Sequence, residues 1–289
     1  MERNLILLIL FALLTQIFSV FLTYNFLLLQ IEVPSYEPFG NLSVEQASMN
    51  ALALLFPVII FTLIFIFILK FFGLGFFKIF TILISITLIF LLNPVFIFAI
   101  LSNFLPEILS ALIAYAFTFI LIGFVIYSAI KPNFLLSNIS SFFACSELGC
   151  LFSLMFSPPT LYLIPLFFLL YDIFAVFFGP LKILIKELKK EAKVKKIKKG
   201  RAKKGISLGI FIANVGGFSI GSGDLVFYSL FASSAFLLGN FSGFISMLLV
   251  LNAGILLNLI ILTKFKKPIP GLPIPLALGL IILLILGLK

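Results

Sequence analysis

Read from its start, the chain is a succession of long apolar runs separated by short polar, glycine-rich or proline-rich breaks. The runs are continuous rather than alternating, which predicts helices and not the strands of a membrane barrel. The first runs from Leu5 to Leu29. It is longer than the roughly 7–15 apolar residues of a signal peptide and lacks a small-residue cleavage site, so it is read as a first spanning helix. A polar loop follows from Gln30 to Asn50, with Glu32, Glu37 and Glu45 and no basic residue. Helix two is predicted from about Ala51 to Leu69, with Gly73 and Gly75 marking a tight turn. Helix three runs from about Phe77 to Ile100, with a kink or early end at Asn93-Pro94. Pro106-Glu107 suits a helix start, with proline in the first turn and an acid at the positive dipole end. Helix four then reaches Ile130. Helix five, from about Phe134 to Phe156, is the most polar and contains Asn138, Ser140, Ser141, Ser146 and Glu147. Helix six runs from Leu161 to about Phe178.

Beyond Gly179-Pro180 the pattern changes. Leu184, Ile185, Leu188 and Ala192 recur at helical spacing, predicting an amphipathic extension at the membrane interface before a lysine-rich run. Gly205 to Leu238 is then nearly free of charge. As one helix it would be ~50 Å long, against a hydrocarbon core of ~30 Å. Something must break it, and Gly216, Gly217, Gly221 and Gly223 are the places. Ile206 to Ile220 is read as partly extended or re-entrant, and about Ser219 to Leu238 as helix seven. Gly239-Asn240 is a turn, and helix eight runs from about Phe241 to Leu262. Four prolines between Pro268 and Pro275 exclude regular helix there, and helix nine occupies about Pro275 to Leu288. The expectation is an all-α polytopic membrane protein with nine transmembrane helices. It divides into a six-helix bundle over residues 1–180, a basic loop over 181–204 and a three-helix part over 205–289.

Composition agrees. Of 289 residues, 63% are hydrophobic and 10% charged, and the mean hydropathy is +1.32; soluble domains have about 25% charged residues. The net charge of +10 is not a nucleic-acid signal. Twelve basic and two acidic residues lie between Leu181 and Lys204, and the rest of the chain carries eight of each sign. A basic loop on a neutral membrane body fits a cytoplasmic segment facing anionic lipid headgroups. With nine spans and a cytoplasmic N-terminus, 19 of the 20 basic residues fall inside and the acidic loop outside, so the positive-inside rule favours that orientation. Lys289 alone falls outside. There is no histidine, which removes Ser-His and Cys-His catalysis. Cys145 and Cys150, five residues apart on a helix, point in different directions and offer neither a disulfide nor a metal-ligand set. No metal or cofactor is expected.

The chemistry is expected from two acids. Asp224 ends Gly221-Ser222-Gly223-Asp224, and Asp172 follows Tyr171 on helix six. A carboxylate at membrane depth is expensive and faces a protein interior or a water-filled cavity. Asp172 lies ~10 Å from the inner end of helix six and Asp224 ~8 Å into helix seven, at 1.5 Å per residue. The matched depths let two antiparallel neighbours oppose their acids, and Gly221 and Gly223 would admit a close partner backbone. Two carboxylates in one dry site hold a single proton between them. The ionised one activates a water while the protonated one polarises the scissile carbonyl. The plainer alternative for either acid is a buried group hydrogen-bonded to Ser, Asn or backbone. Glu147, also within a span, has no glycine frame and no evident partner, and is read as structural or water-contacting. Tyr171 precedes Asp172 and so points elsewhere on the helix; a role shaping the site stays open.

These residues resemble the presenilin and signal peptide peptidase family of intramembrane aspartyl proteases. Tyr171-Asp172 is similar to its Tyr-Asp motif on helix six. Gly221 to Asp224 is similar to its Gly-x-Gly-Asp on helix seven. Pro270-Gly271-Leu272 is similar to its Pro-Ala-Leu motif before helix nine, with Gly271 where the family has alanine. The resemblance implies a presenilin homologue, archaeal in origin, with Asp172 and Asp224 as catalytic acids and Pro270, Gly271 and Leu272 as a site-shaping loop. Its implied substrates are transmembrane segments of other proteins, cleaved in the cell membrane. The signal peptide peptidase branch has the opposite orientation, so the basic-residue count favours the presenilin branch. Unpaired backbone at the proline-rich turn, or in the extended stretch before Gly221, could pair with an unwound substrate segment. Two alternatives stay open. A proton- or cation-coupled transporter or channel could use the buried acids. A prepilin-type peptidase also carries Gly-x-Gly-Asp, but the Tyr-Asp and Pro-Gly-Leu motifs and the span count argue against it.

Overall fold

The structure, a computed structural model, describes residues 2–31, 33–41, 43–131, 133–177, 209–215, 218–265 and 271–288. The described chain is helical apart from one short hairpin. Helix α1 is Glu2–Leu28, α2 Val44–Leu101, α3 Glu107–Ile130, α4 Phe134–Met155 and α5 Pro158–Phe177. A single 3-10 turn, Gly209–Phe211, leads into strands β1 (Ile212–Val215) and β2 (Phe218–Gly221). Helix α6 is Ser222–Phe265 and α7 Pro273–Gly287. The predicted basic loop 181–204, its amphipathic extension, Gly216, Gly217 and Pro270 lie outside the described residues.

Several boundaries differ from the sequence reading, each for a local reason. Helix α2 starts at Val44, not near Ala51, because Ser43 caps it. The Gln46 N–H donates to Ser43 Oγ and the Ser43 N–H to Gln46 Oε1, both at 3.2 Å. That is a reciprocal capping box. The expected turn at Gly73 and Gly75 is a kink within α2, non-helical only at Gly73 (φ 76°), a backbone that glycine tolerates. Asn93-Pro94 does not end the helix. Asn93 is fully buried and bonded to two other helices, and Pro94 is carried inside α2. Helix α6 is broken at Gly239 and Asn240, as expected, with Asn240 at φ 52°. The described part of Ile206 to Ile220 is a 3-10 turn followed by a hairpin, so it is partly extended. Helix α7 begins at Pro273, with proline in its first turn, where a missing N–H is harmless.

Six of the described helical stretches are long and apolar enough to cross a membrane, and Pro158–Phe174 and Pro273–Gly287 are shorter apolar helices. Large apolar side chains face outward, among them Phe61, Leu112 and Phe119. In water such a surface would be untenable; in lipid it is the expected one. The interior holds the polar residues. Ser19 on α1 bonds Ser233 on α6 at 2.8 Å, and Ser146 on α4 bonds the Thr15 carbonyl at 3.1 Å. Thr23 bonds Cys150 Sγ at 3.2 Å. Such small polar residues hold helices together where lipid supplies no hydrophobic drive.

Helix α6 is the centre of the packing, against α1, α4 and α7. Leu225, Leu230, Phe231 and Leu251 of α6 and Leu276 and Leu283 of α7 are among its fully buried side chains. Gly149 brings α4 so close that an added Cβ would lie 2.3 Å from Ser229 Cβ. This packing fixes the first turn of α6, and with it Asp224, against α5 and the segment before α7.

Candidate functional site

Asp172 and Asp224 are brought to the same place from two helices. Asp172 sits near the end of α5, where its Oδ2 accepts the Leu272 N–H at 3.2 Å. Asp224 sits in the first turn of α6, where an acid is favoured by the helix dipole. Its carboxylate accepts the Gly221 backbone N–H and lies within electrostatic reach of Asp172. Both acids are partly buried. Gly271 closes the site: a Cβ built there would lie 2.5 Å from Asp224 Oδ2. One loop thus touches both acids, Leu272 through its N–H and Gly271 through its lack of a side chain.

Two residues the sequence reading missed hold that loop. Tyr228 Oη donates to the Gly271 carbonyl at 3.3 Å, and Asn258 Nδ2 donates to the same oxygen at 2.9 Å. Tyr228 was findable, since it lies four residues after Asp224 and shares its helix face. Asn258 is an amide inside an apolar span, a signal of the kind that marks buried function.

The other expected site residues are distributed as follows. Tyr171 directs its hydroxyl to α2, 2.5 Å from Thr62 Oγ1, with its ring edge-on to Phe168 and Asp172 within electrostatic reach. Gly221 and Gly223 do not serve close helix approach. Among the described residues, a Cβ at Gly223 would meet nothing within 4 Å, and one at Gly221 would meet only the Asp224 carboxyl group, its nearest atom at 3.6 Å. Close approach belongs instead to Gly149 and Gly271. Gly223 and Ser222 end a cavity of about 320 Å³ whose other walls are mostly apolar, including Leu54, Val58, Phe168 and Phe227. Pro270 is outside the described residues.

Glu147 has a partner that sequence spacing could not reveal. It is fully buried on α4. Its Oε1 accepts from Asn93 Nδ2 at 2.5 Å, and Asn93 Oδ1 accepts from Thr118 Oγ1 at 2.9 Å. Glu147 Oε2 has no partner among the described residues.

Residues 188–287 match the Presenilin family model. No curated protein matches the chain. A solved structure of a presenilin family intramembrane aspartate protease superposes with a TM-score of 0.58 at 17% sequence identity, covering 98% of each chain. The chain is presenilin-like. The family match lies in the C-terminal third, which contains Asp224 and the Gly271-Leu272 loop. The presenilin-like fold extends over nearly the whole chain, including α5 and Asp172. The departure at Gly271 has a structural correlate in this presenilin-like chain, because the loop seats against Asp224 more closely than an alanine would permit.

Proposed function

We propose that this chain is an intramembrane aspartyl protease in which Asp172 and Asp224 form the catalytic dyad. The observation that carries the reading is the convergence of both acids on the Gly271-Leu272 loop from two helices. With one proton between them, one carboxylate takes a proton from water as it attacks. The other hydrogen-bonds the peptide carbonyl and stabilises the oxygen as it gains charge. The proton taken from water then passes to the leaving nitrogen as the C–N bond breaks. Leu272 N–H, bonded to Asp172, keeps one oxygen of that acid fixed. Tyr171, Gly221, Gly223 and Pro270 shape the site or contact substrate.

The substrate is an apolar transmembrane segment. Its helix must unwind to expose an amide, and the hairpin before Gly221 offers backbone with which an unwound strand can pair. The helical rods cross the cell membrane nine times with the N-terminus in the cytoplasm and the C-terminus outside. Residues 1–180 supply Asp172, residues 205–289 supply Asp224 and the loop, and the basic loop 181–204 lies on anionic headgroups.

The test is cleavage of a single-span substrate in lipid, with a transition-state-analogue inhibitor as control. Asp172→Ala and Asp224→Ala each abolish cleavage in the folded protein. Full activity in either variant sinks the dyad. The rival reading, proton or cation passage, has one observation of its own, the oxygen of buried Glu147 that has no partner among the described residues. It predicts flux through liposomes in an Asp224→Ala protein that Glu147→Gln removes.

A further inference from the structure

The hairpin before Asp224 has two edges, and the rest of the protein treats them differently. In an antiparallel pair, residues alternate between those that exchange backbone hydrogen bonds across the pair and those whose N–H and C=O point outward. Asn214 is of the outward kind. Its N–H donates to Asn138 Oδ1 at 2.9 Å, and its carbonyl accepts from Asn138 Nδ2 at 2.8 Å. A carboxamide carries the same donor and acceptor as a peptide group. Asn138, from the start of α4, therefore occupies the position that a third strand would take on β1. Farther along, Ser141 Oγ donates to the Ile210 carbonyl at 3.1 Å, and the Ile210 N–H donates to Ser85 Oγ at 3.3 Å. Helices α4 and α2 thus close this side of the segment.

The register fixes what the other edge presents. Ser219 pairs with Asn214, and Gly221 with Ile212. Because Asn214 faces outward from β1, Ser219 faces outward from β2, and so does Gly221 two residues on. The Gly221 N–H bonds the Asp224 carboxylate, which agrees with that alternation. Ser219 is exposed. Its outward backbone groups sit two residues, ~7 Å, before the glycine that touches the acid.

We propose that Asn138 is a positioning residue: its peptide-like pair with Asn214 clamps the hairpin to α4 and closes the edge of β1, which holds β2 in a fixed register with Asp224. This rests on the reading of Asp172 and Asp224 as the dyad and of the hairpin as the strand with which an unwound substrate pairs. A clamp that only stabilised the fold would change melting and leave the choice of cleaved bond alone. A positioning clamp changes which bond is cut and how tightly the substrate is held.

The experiment uses the full chain in liposomes, with amide exchange of residues 212–221 and product analysis of a cleaved single-span substrate. Asn138→Ala removes both hydrogen bonds. Asn138→Asp, ionised, keeps an acceptor for the Asn214 N–H and loses the donor to the Asn214 carbonyl. Asn214→Ala leaves its backbone pair intact and drops only the 2.6 Å bond between its own side chain and Ser219. Asn138→Ala is expected to raise exchange in the hairpin and KM about tenfold each, the scale of two neutral hydrogen bonds. Its kcat stays within about threefold and cleavage spreads to neighbouring bonds. Asn138→Asp falls between, and Asn214→Ala stays within about twofold of the unchanged protein in exchange and KM. The proposal is overturned if Asn138→Ala exchanges like the unchanged protein, if it matches Asn214→Ala in both readouts, or if kcat alone falls with the cleaved bond unchanged. Should Asn138→Ala not fold, an Asn138→Asp protein identical to the unchanged one in exchange and KM overturns it equally. If even the unchanged protein cleaves nothing, the protease reading fails and the positioning role with it, while the exchange data still decide whether the clamp exists.

Discussion

Gly271→Ala is the substitution most sensitive to how the loop seats on Asp224. The effect is steric. The new Cβ would lie 2.5 Å from Asp224 Oδ2, 3.1 Å from Cγ and 3.3 Å from Oδ1, where ordinary contact begins at 3.4 Å. Something must move by about 0.9 Å. The loop is held by Tyr228 and Asn258 through the Gly271 carbonyl, so the carboxylate is the part that gives. An off-rotamer side chain costs only about 0.5–1.5 kcal/mol, and stability changes little. Catalysis is less forgiving, because a misplacement of about 1 Å can lower a rate ~100-fold. The expected result is a kcat lowered roughly 10- to 100-fold, with KM within about threefold and an unchanged melting temperature. Tyr228→Phe in the same protein frees the loop to retreat and restores part of the loss. Initial rates on a single-span substrate in lipid measure both. A Gly271→Ala protein with the original kcat refutes the close seating of the loop on Asp224.

Three other substitutions probe the scaffold. Gly149→Ala sets a methyl 2.3 Å from Ser229 Cβ and 2.8 Å from the Leu230 nitrogen, and no side-chain rotation relieves a backbone contact. It should destabilise the protein by about 2–3 kcal/mol, read as a lower melting temperature in detergent; an unchanged value contradicts the α4–α6 packing. Glu147→Gln keeps an acceptor for Asn93, so it is expected to cost less than about 1 kcal/mol and leave cleavage intact. Glu147→Ala leaves a cavity and a buried unsatisfied amide, for about 2–4 kcal/mol; chemical denaturation separates the two variants. Asn240→Gly relieves the φ 52°, ψ −148° backbone and should raise stability by up to about 1 kcal/mol, whereas Asn240→Val should lower it by about 1–3 kcal/mol. Equal melting of the two variants would mean that the break in α6 lies elsewhere.

Much of this architecture is legible in the sequence because lipid leaves few choices. An apolar run must be helical, and a run too long for the bilayer must break, which is why the interruption before Gly221 could be anticipated. The local signals at Gly73 and Gly239-Asn240 were readable for the same reason. Asn93-Pro94 does not end the helix, where tertiary bonds from Thr118 and to Glu147 hold Asn93 in place against a local helix breaker. Gly221 and Gly223 misled because a glycine has several uses, and here close approach fell to Gly149 and Gly271. What the sequence withheld was pairing across long separations. Nothing in the order of residues joins Asn138 to Asn214, Tyr228 to Gly271 or Asp172 to Leu272. These contacts depend on which faces of neighbouring helices meet, and the continuous apolar runs carry little amphipathic bias to say so.

The central claim is that Asp172 and Asp224 act together on one peptide bond. A structure of the protein in lipid with a bound transition-state-analogue inhibitor of aspartyl proteases tests it most directly. Both carboxylates are expected within ~3 Å of the same inhibitor hydroxyl, with the Gly271-Leu272 loop packed over it and an extended inhibitor backbone along β2. An inhibitor contacting only one of the two acids, or bound away from both, contradicts it.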